Sequence, residues 1–258
     1  MAIVLWGILI IALALILTIV GQVLVHRLVP LSLRKSHNVA TGTVYAPLYA
    51  AYGLILGFSL VMLREQNYDT QKTTEQEANE VKGLYRLAEQ LPESNREQIQ
   101  GLTESYARVV VNEEWPMLGQ GAAAQPSPQA EKLADDILES VNSFSPSSSV
   151  DQARYSQALT LAQNIQTDRK LRLAVIGGLP TTFWVILVVG AVLIIMFALL
   201  LGMDSIWLHR VAVAGVTIMV VLVLYVLSIN QYPFSGAVPV KAYSFETALQ
   251  EMEADGSS

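Results

Sequence analysis

Two stretches of this chain, Ala2 to Val25 and Thr182 to Leu201, each run for about 20 residues without a charged side chain. A hydrophobic span of about 18 or more residues is long enough to cross a bilayer. Only 15% of the residues are charged, against roughly 25% in an ordinary soluble domain, and the mean hydropathy is +0.42. These features imply an integral membrane protein and exclude a purely soluble enzyme. The first apolar run has no basic residue ahead of it, is too long for a signal peptide and is followed by no small-residue cleavage site. It reads as a retained anchor.

Four spans emerge: Ala2 to Val25, Tyr45 to Leu63, Thr181 to Leu201 and Ile206 to Ile229. Between the second and third lies a polar region of about 115 residues, as long as a small domain. Arg64 to Leu91 contains no proline, and Gly83 is its sole glycine. It is rich in good helix formers, and Pro92 ends it. No breaker separates it from the second span, so one helix is expected from Pro47 to Leu91, nearly 70 Å long at about 1.5 Å per residue. Ser94-Asn-Arg-Glu97 reads as a capping box opening a second polar helix. Its apolar stripe is Ile99, Leu102, Tyr106, Val109 and Val110, and Trp115-Pro116 is expected to close it. Ser127-Pro128 opens a third helix. A fourth, Gln152 to Ile176, runs toward span three, with Gly177-Gly178 and Pro180 as a kink or short break. The expected fold is all-α: four transmembrane helices with an extramembrane helical domain built on extensions of helices two and three. The segments are 1–63 (spans one and two), 64–179 (the inserted helical domain), 180–229 (spans three and four) and 230–258 (a C-terminal tail).

Zero cysteines exclude disulfides, thiolate metal sites and cysteine nucleophiles. His26, His37 and His209 are far apart in sequence and have no second ligand at helical spacing. No nucleophile–base–acid set, phosphate loop or metal-ligand spacing is visible, so neither catalysis nor a cofactor is expected. The net charge of −6 sits on the polar region, which makes nucleic acid a poor partner.

The segment His26-Arg-Leu-Val-Pro30, then His37-Asn38, Gly42, Tyr45 and Tyr52-Gly53, resembles the start of the bestrophin-like domain-of-unknown-function family of bacteria and plants. Glu77-Ala-Asn79, Leu84-Tyr-Arg86, Tyr106-Ala107 and Glu114-Trp-Pro116 resemble its next signatures, and Pro233-Phe234-Ser-Gly236 its closing one. The motif residues are therefore His37, Asn38, Glu77, Asn79, Arg86, Trp115, Pro233, Phe234 and Gly236. Two departures stand out: Arg64 where the family usually has a Trp, and Gln231-Tyr232 where it has an Asp-Arg pair. The resemblance implies a four-span helical membrane protein distantly similar to bestrophin anion channels.

No Asp, Glu, Lys or Arg lies in the interior of any span, Arg210 standing in the first turn of the fourth. That argues against ion-coupled transport, which needs charged groups there. A channel has no such need, since its pore can be built from hydroxyls, carbonyls and apolar constrictions. Span two is the most patterned. Tyr45, Tyr49, Tyr52 and Leu56 form one strip, and with Ile55 and Ser59 they are the pore-lining candidates. Ile55, Leu56 and Phe58 are candidates for an apolar constriction. Ala46, Ala50, Gly53 and Gly57 form a neighbouring small-residue strip for close helix packing. The bland alternative is that the tyrosines anchor at the lipid interface and the glycines merely pack the bundle. Arg34, Lys35, His37 and Asn38 read either as an anion-gathering or lipid-phosphate cluster or as a positive-inside signal. In the helical domain, Arg86 is expected to pair with Glu89 or Glu114, and the Pro233–Gly236 turn to fold the tail back.

The expected function is a homo-oligomeric ion channel with span two lining the path. The alternative is a non-conducting scaffold that binds a partner through the helical domain. Lipid, a second copy of the chain and small ions are the expected partners. A bacterial inner membrane is the expected location, and short-loop charges favour the helical domain outside.

Overall fold

The computed structural model describes residues 2–256 of the chain. Its helices are α1 (Ala2–Leu28), α2 (Leu31–Ser36), α3 (Asn38–Ala88), α4 (Glu93–Val109), α5 (Trp115–Leu118), α6 (Pro128–Asn142), α7 (Ser149–Leu173), α8 (Thr181–Leu200), α9 (Ile206–Asn230) and α10 (Tyr243–Gly256). Among the described residues there is no strand. The chain is all-α, and four helices are long and apolar enough to cross a membrane: α1, the first part of α3, α8 and α9.

The chain divides into two compact units, residues 1–64 with 179–231 and residues 65–178 with 232–258. In the first, α1 packs against α9 and α8. Its apolar centre gathers Tyr52, Leu56 and Leu63 of α3 with Leu187, Ala191 and Ile194 of α8 and Val220 and Leu227 of α9. In the second, Val81, Leu84 and Ala88 meet Ile99, Tyr106 and Val110, Ala134 and Ile137, Ala158, Ala162 and Ile165, and Phe245 with Met252 of α10.

Several boundaries differ from expectation, each for a physical reason. Helix α3 starts at Asn38 rather than Pro47, which becomes an interior residue. Proline removes one backbone hydrogen bond and crowds the preceding turn. Membrane helices tolerate an interior proline, and one turn earlier the Thr43 hydroxyl bonds the Val39 carbonyl at 2.9 Å. Ser94 does not cap α4. The Pro92 carbonyl starts that helix, accepting from Asn95 N at 3.0 Å and Arg96 N at 2.9 Å, so Ser94 falls inside the first turn.

Trp115-Pro116 does not end the helical path either. Residues Val110–Glu114 widen into a π turn that runs on into α5, and such turns often re-aim side chains at functional sites. Ser127 does cap α6, accepting from Ala130 N at 3.3 Å. Of the two expected extensions, the first is unbroken, since α3 runs straight through Arg64. The second is interrupted: α7 stops at Leu173 and α8 starts at Thr181. Gly178 there takes φ +63°, a left-handed conformation that favours glycine, and Pro180 follows it.

Candidate functional site

The spanning part of α3 has two faces. On one, Tyr45 stacks on Phe197 with ring centroids 4.0 Å apart. The Tyr52 hydroxyl donates to the Leu187 carbonyl at 2.8 Å. Its ring lies where Gly190 has no side chain, and a Cβ at that position would overlap it. Ser59 donates back to the Ile55 carbonyl at 2.7 Å. Tyr52, Leu56 and Ser59 are only 7%, 6% and 2% exposed, and Tyr45 and Tyr49 are half-buried. At Tyr52, Leu56 and Ser59 this strip is enclosed by the chain's own helices.

The neighbouring face carries Ala46, Ala50, Gly53 and Gly57, all exposed. A Cβ built at Gly53 or Gly57 would meet nothing within 4 Å. Elsewhere around the helix, Ile55 is 40% exposed and Phe58 64% exposed.

At one end of the same unit the loops are tied together by Asn38. Its Nδ2 donates to the Gly202 carbonyl at 2.6 Å, and its Oδ1 accepts from Gly202 N at 2.9 Å. A Cβ on Gly202 would lie 2.7 Å from the Lys35 backbone nitrogen, so only glycine fits. Lys35 pairs with Asp204. Arg34, 7% exposed, reaches the Leu201 carbonyl through Nη1 at 3.4 Å. His37 is exposed and takes no part in this clamp.

The helical unit holds a buried ion network that sequence reasoning missed. Arg172 of α7 donates through Nε to Glu77 Oε2 at 2.6 Å and through Nη2 to Glu77 Oε1 at 3.0 Å. The same Nη2 reaches Glu114 Oε2 at 2.9 Å. Arg169 donates to Glu114 Oε1 at 2.6 Å, and the Tyr106 hydroxyl donates to Glu77. Glu77, Glu114, Arg172 and Tyr106 are fully buried. Two guanidinium groups thus balance two carboxylates in a dry interior, where an unpaired charge would be prohibitive. Burial works against the Arg172 charge, but the Glu77 and Glu114 carboxylates outweigh it and hold the group above its ordinary pKa. Burial and the Glu77 charge push the Tyr106 phenol well above its ordinary range. Arg172 also lies 5.2 Å from the Trp115 ring centre and 5.7 Å from that of Phe245, a cation–π arrangement. The π turn is what directs Glu114 inward.

The closing motif joins this cluster. Val240 N donates to the Pro233 carbonyl at 2.9 Å, and Gly236 N to the Tyr232 carbonyl at 3.1 Å, forming a tight turn. Phe234 meets Trp115 edge-on at 5.4 Å, and Trp115 Nε1 donates to the Val240 carbonyl at 3.2 Å. The expected Arg86 partners are corrected. Arg86 bonds Asp255 at 2.9 Å and Glu251 at 3.1 Å on α10, because the tail helix returns alongside it while Glu114 is taken by the buried arginines. Asn79 is exposed and joins neither group. Arg169 and Arg172 are three residues apart, so one face of α7 presents both; in sequence they look like membrane-flanking charges.

Among the described residues, no group of three or more His, Asp or Glu side chains is arranged to hold a metal ion. What the geometry offers is a rigid charged core in one unit and an open, small-residue helix face in the other. Residues 12–245 match the family model for the bestrophin-like domain. No curated protein matches the chain. Two crystal structures of single-site variants of a bacterial bestrophin homologue from Klebsiella pneumoniae share the fold, each at TM-score 0.69. One is 10% identical, over 96% of this chain and 99% of that chain. The other is 11% identical, over 98% and 99% respectively.

Proposed function

Given that the chain belongs to the bestrophin-like domain family, we propose that this integral membrane protein is a homo-oligomeric ion channel whose path is lined by the open face of the second span. The observation that carries the reading is that face itself. Small residues recur at Ala46, Ala50, Gly53 and Gly57, with empty space over both glycines in the single chain. Small residues permit close helix approach in a membrane and have no use against lipid alone. Ile55 and Phe58, also exposed on this helix, are the candidates for an apolar constriction of the kind that gates by dewetting. Tyr45, Tyr49, Tyr52, Leu56 and Ser59 hold this helix against its own bundle.

The helical domain is proposed to lie outside the cytoplasm. Arg27, Arg34, Lys35 and Arg210 lie in or beside the short connections between spans, and such charges favour the inside. Arg169 and Arg172, which argued the other way in sequence, are consumed by Glu77 and Glu114.

The test is ion flux in proteoliposomes holding the purified oligomer. Flux is expected, and Phe58→Ala should raise it by widening the constriction. An intact oligomer that passes neither potassium, sodium nor chloride would overturn the channel and leave the scaffold reading.

A further inference from the structure

The end of the membrane unit tied by Asn38 also holds a set of polar groups that the proposed path does not use. Helices α1 and α9 run antiparallel. The Thr18 and Thr217 hydroxyls share a hydrogen bond of 3.2 Å, and eight residues along each helix the His26 and His209 rings lie 5.5 Å apart. Gln22 falls midway between Thr18 and His26 on the same stripe and is 3% exposed. Three groups here are buried with an unsatisfied atom: Gln22 at Nε2, Arg34 at Nε and His209 at Nδ1. The first two can only donate. His209 Nε2 faces the Ala198 carbonyl at 3.2 Å, so that nitrogen is the donor and Nδ1 is left over. Buried donors without acceptors are rare in folded proteins, and each calls for an explanation.

Charge in this unit is equally one-sided. Residues 1–64 and 179–231 contain five Lys or Arg and a single acid, Asp204, which Lys35 occupies. Arg34 and Arg210 both lie within electrostatic reach of His26. No carboxylate in the unit remains to balance them. His26 and His209 stand at the ends of their spans, the level at which a bilayer presents its headgroups.

We infer that Gln22, His26, Arg34 and His209 form a binding site for a phosphate group, supplied by a lipid headgroup or by free phosphate. A phosphate offers several acceptor oxygens and negative charge, which together answer the orphan donors and the excess of basic groups. Arg34 Nε and Gln22 Nε2 would donate to its oxygens, with the His26 and His209 rings completing the site.

The test measures binding to the purified full chain by native mass spectrometry and by thermal shift in a non-ionic detergent. The probes are phosphatidylglycerol, a sugar-headgroup lipid without phosphate, and inorganic phosphate. Phosphatidylglycerol is expected to bind and raise the melting temperature where the sugar lipid does not. Arg34→Gln and Gln22→Leu should each weaken that binding about tenfold, the loss expected for one hydrogen bond to a charged group. Gln22→Leu keeps shape and adds no charge, so it guards against a folding defect in the arginine variant. A shift from inorganic phosphate alone, lost in the same variants, supports the site and assigns it to free phosphate. Equal binding of the phosphate and sugar lipids would overturn the inference. So would a Gln22→Leu protein that binds phosphatidylglycerol like wild type.

Discussion

Arg172 holds its charge against two buried carboxylates, so the effect of losing it depends on what stays behind. Arg172→Met would leave Glu77 and part of Glu114 uncompensated in the interior. Breaking a buried pair from one side costs about 3–5 kcal/mol. Removing both partners, as in Glu77→Met with Arg172→Met, should lose less than the arginine change alone, because an apolar replacement leaves no stranded charge. Denaturation midpoints of the three proteins check this, and a double variant no better than the single one would count against the network. Glycines give a second contrast at the same scale. Gly190→Ala pushes into the Tyr52 ring and threatens its bond to Leu187, an overpacking worth about 1–3 kcal/mol. Gly57→Ala meets nothing in the single chain, so a monomeric protein should tolerate it, and any loss it causes should register in the oligomer on a sizing column.

Helices α3 and α7 bring Glu80 and Asp168 within electrostatic reach in the helical domain, and this gives that pair of elements a pH dependence. Burial, reinforced by the Asp168 charge, pushes the Glu80 carboxyl from its ordinary 4.5 up to about 7, and burial also raises Asp168. The folded state therefore holds these protons more tightly than the unfolded chain does. The Glu80 contribution to stability is complete below about pH 4.5 and is lost as pH rises through about 7. Glu80→Gln should flatten the decline in melting temperature between pH 5 and 8 relative to wild type; parallel profiles would refute the assignment.

Legibility also differs by element. The spans, the Ser127-Pro128 cap and the long second helix were readable because hydropathy and breakers act locally. The π turn, the buried role of Arg169 and Arg172, and the α10 contacts to Arg86 were not, since each is decided by partners far along the chain. The same holds for the tyrosine strip. Its spacing gave the shared face, but only Gly190 and Leu187 on another helix decide that the face turns inward.

For the molecule as a whole, topology is the property that a single measurement can decide, and the composition makes that measurement clean. The chain contains no cysteine, so each introduced thiol is the sole target of a maleimide. Ala122 lies exposed in a short turn of the helical domain, and Ser36 is exposed at the end of α2 between the first two spans. With a single span, the second, between them, the two positions must label oppositely. If the basic short loops face the cytoplasm, a membrane-impermeant maleimide should modify Ala122→Cys in intact cells and Ser36→Cys only after permeabilisation. The reverse pattern would turn the protein over. It would mean that Arg64, Lys72 and Lys170, flanking the helical domain, outweigh Arg27, Arg34, Lys35 and Arg210, against the weight that short loops normally carry. The phosphate site would then lie in the outer leaflet, where anionic headgroups are scarcer, so the labelling result also fixes which leaflet's lipids are the right probes for it.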